Sequence, residues 1–214
     1  MALQLVLASN NVKKLAELQA LLAGLPLTLV SQGNLGIAEA DEPFHSFIEN
    51  ALTKARHAAR ASGGAAIADD SGLCVGALGG APGVISAHFA GELPPLPGEG
   101  REALRQRQDA ANNQALLARL AGVADRRGHF ISTLVALRHA DDPEPLVAVG
   151  RWPGEILAAP RGEQGFGYDP LMFLPALNAT VAELDAETKN RHSHRARATA
   201  LLRAMLSDVW HLGG

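Results

Sequence analysis

Leu3 to Ala8 is a short apolar run. It gives way at once to the polar turn Ser9-Asn10-Asn11, after which Val12, Leu15, Leu18, Leu21 and Leu22 recur at helical spacing. This abrupt change of period commits the opening of the chain to a strand, a tight turn and a helix. Gly24 and Pro26 end the helix, and Leu27 to Val30 reads as a second strand. A second amphipathic helix is marked by Phe44, Phe47, Ile48, Ala51, Leu52 and Ala55 and stopped by Gly63-Gly64. Ala65 to Ala68 then reads as a short buried strand ending abruptly at Asp69-Asp70-Ser71-Gly72.

Residues 79–83 and 91–100 are turn-rich loops, and the second holds Pro94, Pro95 and Pro97. Residues 101–121 read as a rather polar helix. Phe130 to Leu137 and Leu146 to Trp152 form a hairpin around Asp141-Asp142-Pro143. A glycine-rich loop from Arg161 to Asp169 leads to Leu171–Leu174. Thr180 with Glu183 forms a capping box, and Ser193 caps a last helix whose core face is Ala198, Leu201, Leu202, Met205 and Val209. Strand–helix units beside a hairpin predict an α/β fold with a mixed sheet. At 214 residues the chain suits one domain with elaborations.

A net charge of -3 disfavours a nucleic-acid binder, which normally carries a basic excess. No run of about 18 apolar residues predicts a membrane span. The single cysteine, Cys74, suits a reducing compartment, and Met1-Ala2-Leu3-Gln4 carries no basic leader, so a cytoplasmic location is expected.

Five segments carry chemistry. The turn Ser9-Asn10-Asn11 with Lys14 directs backbone N–H groups, a helix N-terminus and an ammonium to one point, which favours a phosphate. The same residues also serve as an ordinary N-cap. Asp69-Asp70 places two acids where an apolar strand ends. Like charges there repel unless a cation sits between them or one binds a proton, and hard oxygen ligands suit Mg²⁺; a polar turn with a capping aspartate gives the same pattern. Adjacent strand residues face opposite ways, so one aspartate enters the site and the other supports it. Glu42 precedes a helix bearing Glu49, Asn50 and Lys54, a pattern that a solvated surface also produces. Gly165-Phe166-Gly167-Tyr168-Asp169-Pro170 concentrates rings in a chain that is only 4% aromatic, and an exposed ring stacks on a base. A basic stretch from Glu187 to Arg203 holds Lys189, Arg191, Arg195, Arg197 and Arg203, some of which a solvated helix face also explains. His192 and His194 there lack a third soft ligand, which disfavours zinc.

Together these segments resemble the inosine triphosphate pyrophosphatase family. The pattern Thr/Ser-x-Asn-x-x-Lys is matched by Ser9, Asn11 and Lys14. Phe-x-Glu-Asn-Ala-x-x-Lys-Ala is matched by Phe47, Glu49, Asn50, Ala51, Lys54 and Ala55. Asp-Asp-Ser-Gly-Leu stands intact at Asp69–Leu73, followed by Gly79-Gly80-Ala81-Pro82-Gly83, Phe166-Gly167-Tyr168-Asp169-Pro170 and Ser193-His194-Arg195. The resemblance runs from about Leu3 to Leu206. Three departures stand out: Asn10 where the family often has glycine, Glu42-Pro43-Phe44 for the usual Glu-Thr-Gly, and the proline-rich stretch from Pro94.

The resemblance implies a long central mixed sheet, flanking helices, two lobes around a substrate cleft within a single 1–214 domain, and a homodimer. It implies hydrolysis of ITP, dITP and XTP to monophosphate and pyrophosphate, with one Mg²⁺ per active site. Glu42 and Asp70 would hold the metal, and Asp70, helped by Asp69 or Glu49, would act on the water. Ser9, Asn10, Asn11, Lys14, Lys54, Ser71, Phe166, Gly167, Tyr168, Asp169, Lys189, His194 and Arg195 would bind the substrate. Lys14 and the turn Ser9–Asn11 would hold the triphosphate, Lys54 and Lys189 would add positive charge, Phe166 would stack on the base and Arg195 would donate to its 6-keto oxygen. A pyrophosphatase of the Maf class is disfavoured by the turn Ser9–Lys14, and a non-catalytic nucleotide sensor by the crowded acid pair.

Overall fold

The computed structural model describes residues 2–213. The expected opening unit is present as β1 (Leu3–Leu7) and α1 (Val12–Leu21). Asn11 caps α1, its side chain accepting from the backbone N–H groups of Lys13 and Lys14. β2 (Leu27–Ser31) lies parallel to β1 on one side. On the other, β3 (Ala65–Val75) is parallel too, with Leu7 opposite Ile67. Between them runs α2 (Phe47–Ser62). The remaining elements are α3 (Arg101–Arg119), β4 (Arg127–Leu137), β5 (Leu146–Ile156), β6 (Met172–Leu174), β7 (Ala179–Thr180), α4 (Ala186–His192) and α5 (His194–Asp208). The seven strands lie in the order β2-β1-β3-β4-β5-β6-β7, and β5–β6 and β6–β7 are antiparallel, so the sheet is mixed.

One expectation fails in an instructive way. β3 does not end at Ala68 but continues through Asp69 and Asp70 to Val75. Leu73 and Val75 are fully buried and give the far half of the strand its own apolar anchor. It is β1 that stops, at Leu7. The acid pair therefore lies beyond the carboxyl end of the neighbouring parallel strand, where ligand sites in α/β sheets occur.

Strand alternation settles which way each acid points. Leu5 and Leu7 of β1, Ala65 and Ile67 of β3, and Leu134 and Ala136 of β4 pack with Leu18 of α1 and Ala198, Leu202 and Leu206 of α5. The opposite parity, Val6, Ala66, Ala68 and Val135, packs with Ala51, Ala55, Ala58 and Ala59 of α2. Asp69 continues the first set and Asp70 the second.

Three boundaries differ from expectation. α2 starts at Phe47, because Ser46 supplies its N-cap by accepting from Glu49 N–H; Phe44 lies outside the helix. β4 and β5 each run longer than their apolar stretches. Leu201 of α5 is exposed, and Leu206 takes its place in the core. The proline-rich loop is tied to α3: Arg107 donates to Glu99 and to the Pro94 carbonyl, and Gln108 accepts from Leu93 N–H. No helix among the described residues is long and apolar enough to cross a membrane.

The chain divides into two compact units. The first holds the chain up to Ser71, Ser132–Arg151 and the chain from His192. The second holds Gly72–Ile131 and Trp152–Arg191. The second has its own core of Leu73, Leu116, Leu120, Phe130, Trp152, Tyr168, Leu171 and Met172.

Candidate active site

In the first unit, Asp69 points into the layer of α1 and α5, where cations meet it. Arg195, on the first turn of α5, donates to Oδ2 through Nε at 3.0 Å and Nη2 at 2.8 Å. Lys14 Nζ lies 3.2 Å from the same oxygen, and Ser132 donates to Oδ1 at 2.8 Å. Ser71 adds a weaker donation, and Arg195 also binds Glu17 of α1. Burial alone would raise the Asp69 pKa, but Arg195, Lys14 and the Ser132 hydroxyl together hold it far below the usual carboxylate range. Asp69 is thus enclosed by donors that favour its ionised form.

Asp70, one residue on, faces α2. Lys54 donates to its Oδ1 at 2.8 Å and to Glu42 Oε2 at 2.9 Å, so one ammonium bridges two carboxylates. Burial pushes the Asp70 pKa up to about 6; Lys54 opposes the shift and the nearby Glu42 carboxylate adds to it. Glu42 moves the other way, its burial outweighed by Lys54. Lys54 keeps a raised pKa despite its burial, because Asp70 and Glu42 surround it. The Lys14 ammonium is lowered, by burial first, with Asp69 opposing that shift. Lys14 and Lys54 both donate to the Asp69 carbonyl, at 3.3 and 3.4 Å, so the two ammoniums meet at the backbone of the acid pair.

Glu42 and Asp70 form a donor set for a hard divalent cation. They are two carboxylates forced close enough to perturb each other, and Asp70 Oδ2 is buried with no hydrogen-bond donor on it among the described residues. No cluster of three His, Cys, Asp or Glu capable of holding a metal occurs among those residues. Mg²⁺ needs none, because it binds through one or two carboxylates plus substrate phosphates.

Several expected residues turn out to hold other residues in place. Glu49 is exposed and closes a reciprocal cap with Ser46 at the start of α2. Asn50 is buried, and its amide both donates to and accepts from the Phe44 backbone, which docks the Glu42 loop onto α2. Arg195, expected to donate to a base, has its guanidinium turned to Asp69, Glu17 and Ser71, as a charge 1% exposed requires. His194 is buried beside it, and Ser9 accepts from Asn11 N–H within the turn.

The second unit carries the aromatic loop. Asp169 accepts from Phe166 N–H at 3.0 Å and from Lys189 Nζ at 2.9 Å, and that ammonium lies 4.6 Å from the centre of the Phe166 ring. Tyr168, expected at the substrate, belongs to the core, and its hydroxyl donates to the Ser86 carbonyl. Gly165 has a left-handed φ of +82°, and a Cβ there would meet Asp169 Oδ2 at 2.1 Å, so only glycine lets the Asp169 cap form.

Sequence reasoning misses Glu17, Ser132 and Asp109. Each left a faint signal. Glu17 lies one helical turn from Lys14, and Ser132 interrupts the apolar run of β4. Asp109 sits on the polar helix to which no role was given.

Comparison with known proteins identifies the family to which this chain is similar. The family model described as the Ham1 family matches residues 5–205. A "dITP/XTP pyrophosphatase" of Methylibium petroleiphilum is 66% identical over 208 residues, covering 97% of this chain and 99% of that protein. One of Burkholderia pseudomallei is 55% identical over 206 residues, covering 96% and 94%. Among solved structures, a HAM1 protein from Coxiella burnetii superposes with a TM-score of 0.86 at 40% identity, covering 97% of this chain and 100% of that one. The Staphylococcus aureus Ham1 protein gives 0.79 at 35%, covering 95% and 97%. With a family model spanning nearly its whole length and relatives this similar, the chain belongs to the Ham1 family.

Proposed function

We propose that this chain hydrolyses the non-standard purine nucleoside triphosphates dITP, ITP and XTP to the nucleoside monophosphate and pyrophosphate, with Mg²⁺ as its cofactor. The observation that carries the reading is the convergence of Lys14, Lys54, Glu42 and Asp70 around one strand segment. Relatives at 66% identity that carry the name dITP/XTP pyrophosphatase support the substrate class.

Lys14 and the turn Ser9–Asn11 hold the phosphates, and Lys54 adds positive charge. Glu42 and Asp70 would hold the Mg²⁺, which would supply positive charge against the triphosphate and its leaving pyrophosphate. A water oxygen attacks the α-phosphorus, the bond from that phosphorus to the bridging oxygen breaks, and pyrophosphate departs with the electron pair. Asp70, whose buried Oδ2 carries no hydrogen-bond donor among the described residues, accepts the water's proton. Asp69 orients β3 by anchoring it to α1 and α5. Phe166 stacks on the base, and Lys189 adds positive charge there. A homodimer and a cytoplasmic location belong to the same proposal.

The test is a panel of dITP, ITP, XTP, GTP and ATP with Mg²⁺, scoring pyrophosphate against orthophosphate. Pyrophosphate in equal amount to monophosphate, with the first three preferred, is the expected result. Release of orthophosphate, or equal turnover of ATP, overturns it. Sedimentation of the same preparation gives the oligomeric state.

A further inference from the structure

The polar face of α3 has no part in the chemistry above, yet it buries hydrogen-bonding side chains. Gln108 and Asn112 are buried on it, and both are satisfied by backbone: Gln108 by Leu93 and Gly91, Asn112 by Ser86, Ala87 and Ala90. Burying such groups costs free energy unless partners are built for them. One step round the helix stand Asp109 and Asn113, four apart and so on one face. Both reach a single residue of the aromatic loop. Gly167 N–H donates to Asp109 Oδ2 at 2.8 Å, and Asn113 Nδ2 donates to the Gly167 carbonyl at 3.0 Å.

These two bonds fix the peptide planes on either side of Gly167, whose φ of +62° is left-handed. The plane before it joins Phe166 to Gly167. The plane before that is fixed as well, because Phe166 N–H donates to Asp169. Both backbone torsions of Phe166 are therefore set by side chains outside the residue, Asp169 from within the loop and Asp109 from α3. The half-buried ring has Arg105, one turn earlier on α3, at 5.9 Å and Lys189 at 4.6 Å. A stacking platform is useful only if its plane is fixed before the ligand arrives, since ordering it on binding subtracts from affinity.

We propose that Asp109 and Asn113 are positioning residues for recognition of the purine base: by clamping the Gly167 peptide they preset the Phe166 ring on which the base stacks. This rests on the reading of Phe166 given above. Neither residue touches the reacting atoms, so the clamp acts on binding and leaves the chemical step alone.

The test is steady-state kinetics of the full chain with ITP and Mg²⁺. Asp109→Ala and Asn113→Ala each raise KM about tenfold with kcat little changed, the pattern of lost uniform binding. Asp109→Asn, whose amide oxygen still accepts from Gly167 N–H, restores most of the loss. Phe166→Ala raises KM by about tenfold or more. In that background Asp109→Ala adds less than about twofold, because a residue acting through the ring has nothing left to act on. Alanine favours the helix at both positions, and a thermal melt of each variant checks folding. Should Asp109→Ala prove unfolded, Asn113→Ala and Asp109→Asn carry the same cycle. If Phe166→Ala raises KM while the clamp variants do not, or if their effects add in full to that of Phe166→Ala, the clamp is overturned and the stacking role stands. If Phe166→Ala leaves KM unchanged, the stacking role falls and the proposal falls with it.

Discussion

Both oxygens of the Asp69 carboxylate are met: Oδ1 by Ser132, and Oδ2 by Arg195, Lys14 and Ser71. One residue on, Asp70 gives Oδ1 to Lys54 and leaves a buried Oδ2 bare. The pKa of Asp69 is driven down and that of Asp70 up to about 6. Two identical side chains on consecutive residues thus have opposite protonation behaviour, and the pleat of β3 is the cause. One face of the strand meets cations from α1 and α5. The other meets a lysine shared with a second carboxylate. A carboxylate whose two oxygens are both met is committed to its partners, whereas one with a bare buried oxygen is open to a cation or a proton.

The hardest strike at this contrast is Asp70→Asn. It removes a charge and a proton acceptor but keeps the shape, and Lys54 retains Glu42. We expect kcat to fall by about 10²–10⁴ with a melting temperature close to wild type. Near-normal turnover of ITP would remove Asp70 from the chemistry and with it the division of labour.

Asp69→Ala should fail in the other currency, stability. It strands the Arg195 guanidinium, 1% exposed, and the Lys14 ammonium without their shared partner. Removing one member of a buried pair typically costs about 3–5 kcal/mol, so a drop in melting temperature of at least several degrees is expected. The pH dependence has a definite sign. A carboxyl whose folded pKa lies below its unfolded value stabilises above the unfolded pKa and loses that contribution as pH falls toward the folded one. Stability of the wild type should therefore decline below about pH 4, and more steeply than that of Asp69→Asn. Equal acid profiles would show that Asp69 is not the anchor.

Much of this was legible in the sequence. The opening strand–turn–helix, the mixed sheet and the two faces of the acid pair follow from local periodicity, which a single segment carries. Which aspartate is enclosed by donors and which keeps a bare oxygen was not legible, because it depends on Arg195, 126 residues away, and on Ser132, 63 away. The end of β3 was misplaced for a related reason. Two acids in a row read locally as a loop, but in the fold each has its own cations, one set on each face, and a strand can continue through them. The assignment of Arg195 to the base rests on arginine being a donor only, which suits a keto oxygen. Nothing local reveals that α5 buries it.

A smaller effect separates the two acids through their lysines. Lys54 occupies the space between Glu42 and Asp70, where a divalent cation would compete with its ammonium. Replacing it, Lys54→Met, should strengthen Mg²⁺ binding in the absence of nucleotide by about tenfold in calorimetry, since an opposing charge is worth one to a few pKa-unit equivalents. The thermal stabilisation by Mg²⁺ should grow in step. Lys14→Met, whose ammonium lies against Asp69, should leave that affinity nearly unchanged. Equal effects of the two lysines would mean that the acids share one electrostatic site and are not divided by the strand.

The mildest probe is Ser132→Ala. Ser132 is fully buried on β4, and its hydroxyl donates to Asp69 Oδ1. Its loss leaves Oδ2 with Arg195 and Lys14, so the charge stays compensated and only a neutral hydrogen bond is lost. That is worth about 1 kcal/mol, or about 2–4 °C in a chain of this size. Because Asp69 anchors β3 from the face away from Glu42 and Asp70, kcat should stay within about twofold of wild type, far short of the effect of a lost catalytic base. A tenfold fall in kcat with an unchanged melt would place the Asp69 carboxylate in the chemical step and reverse the roles assigned to the pair.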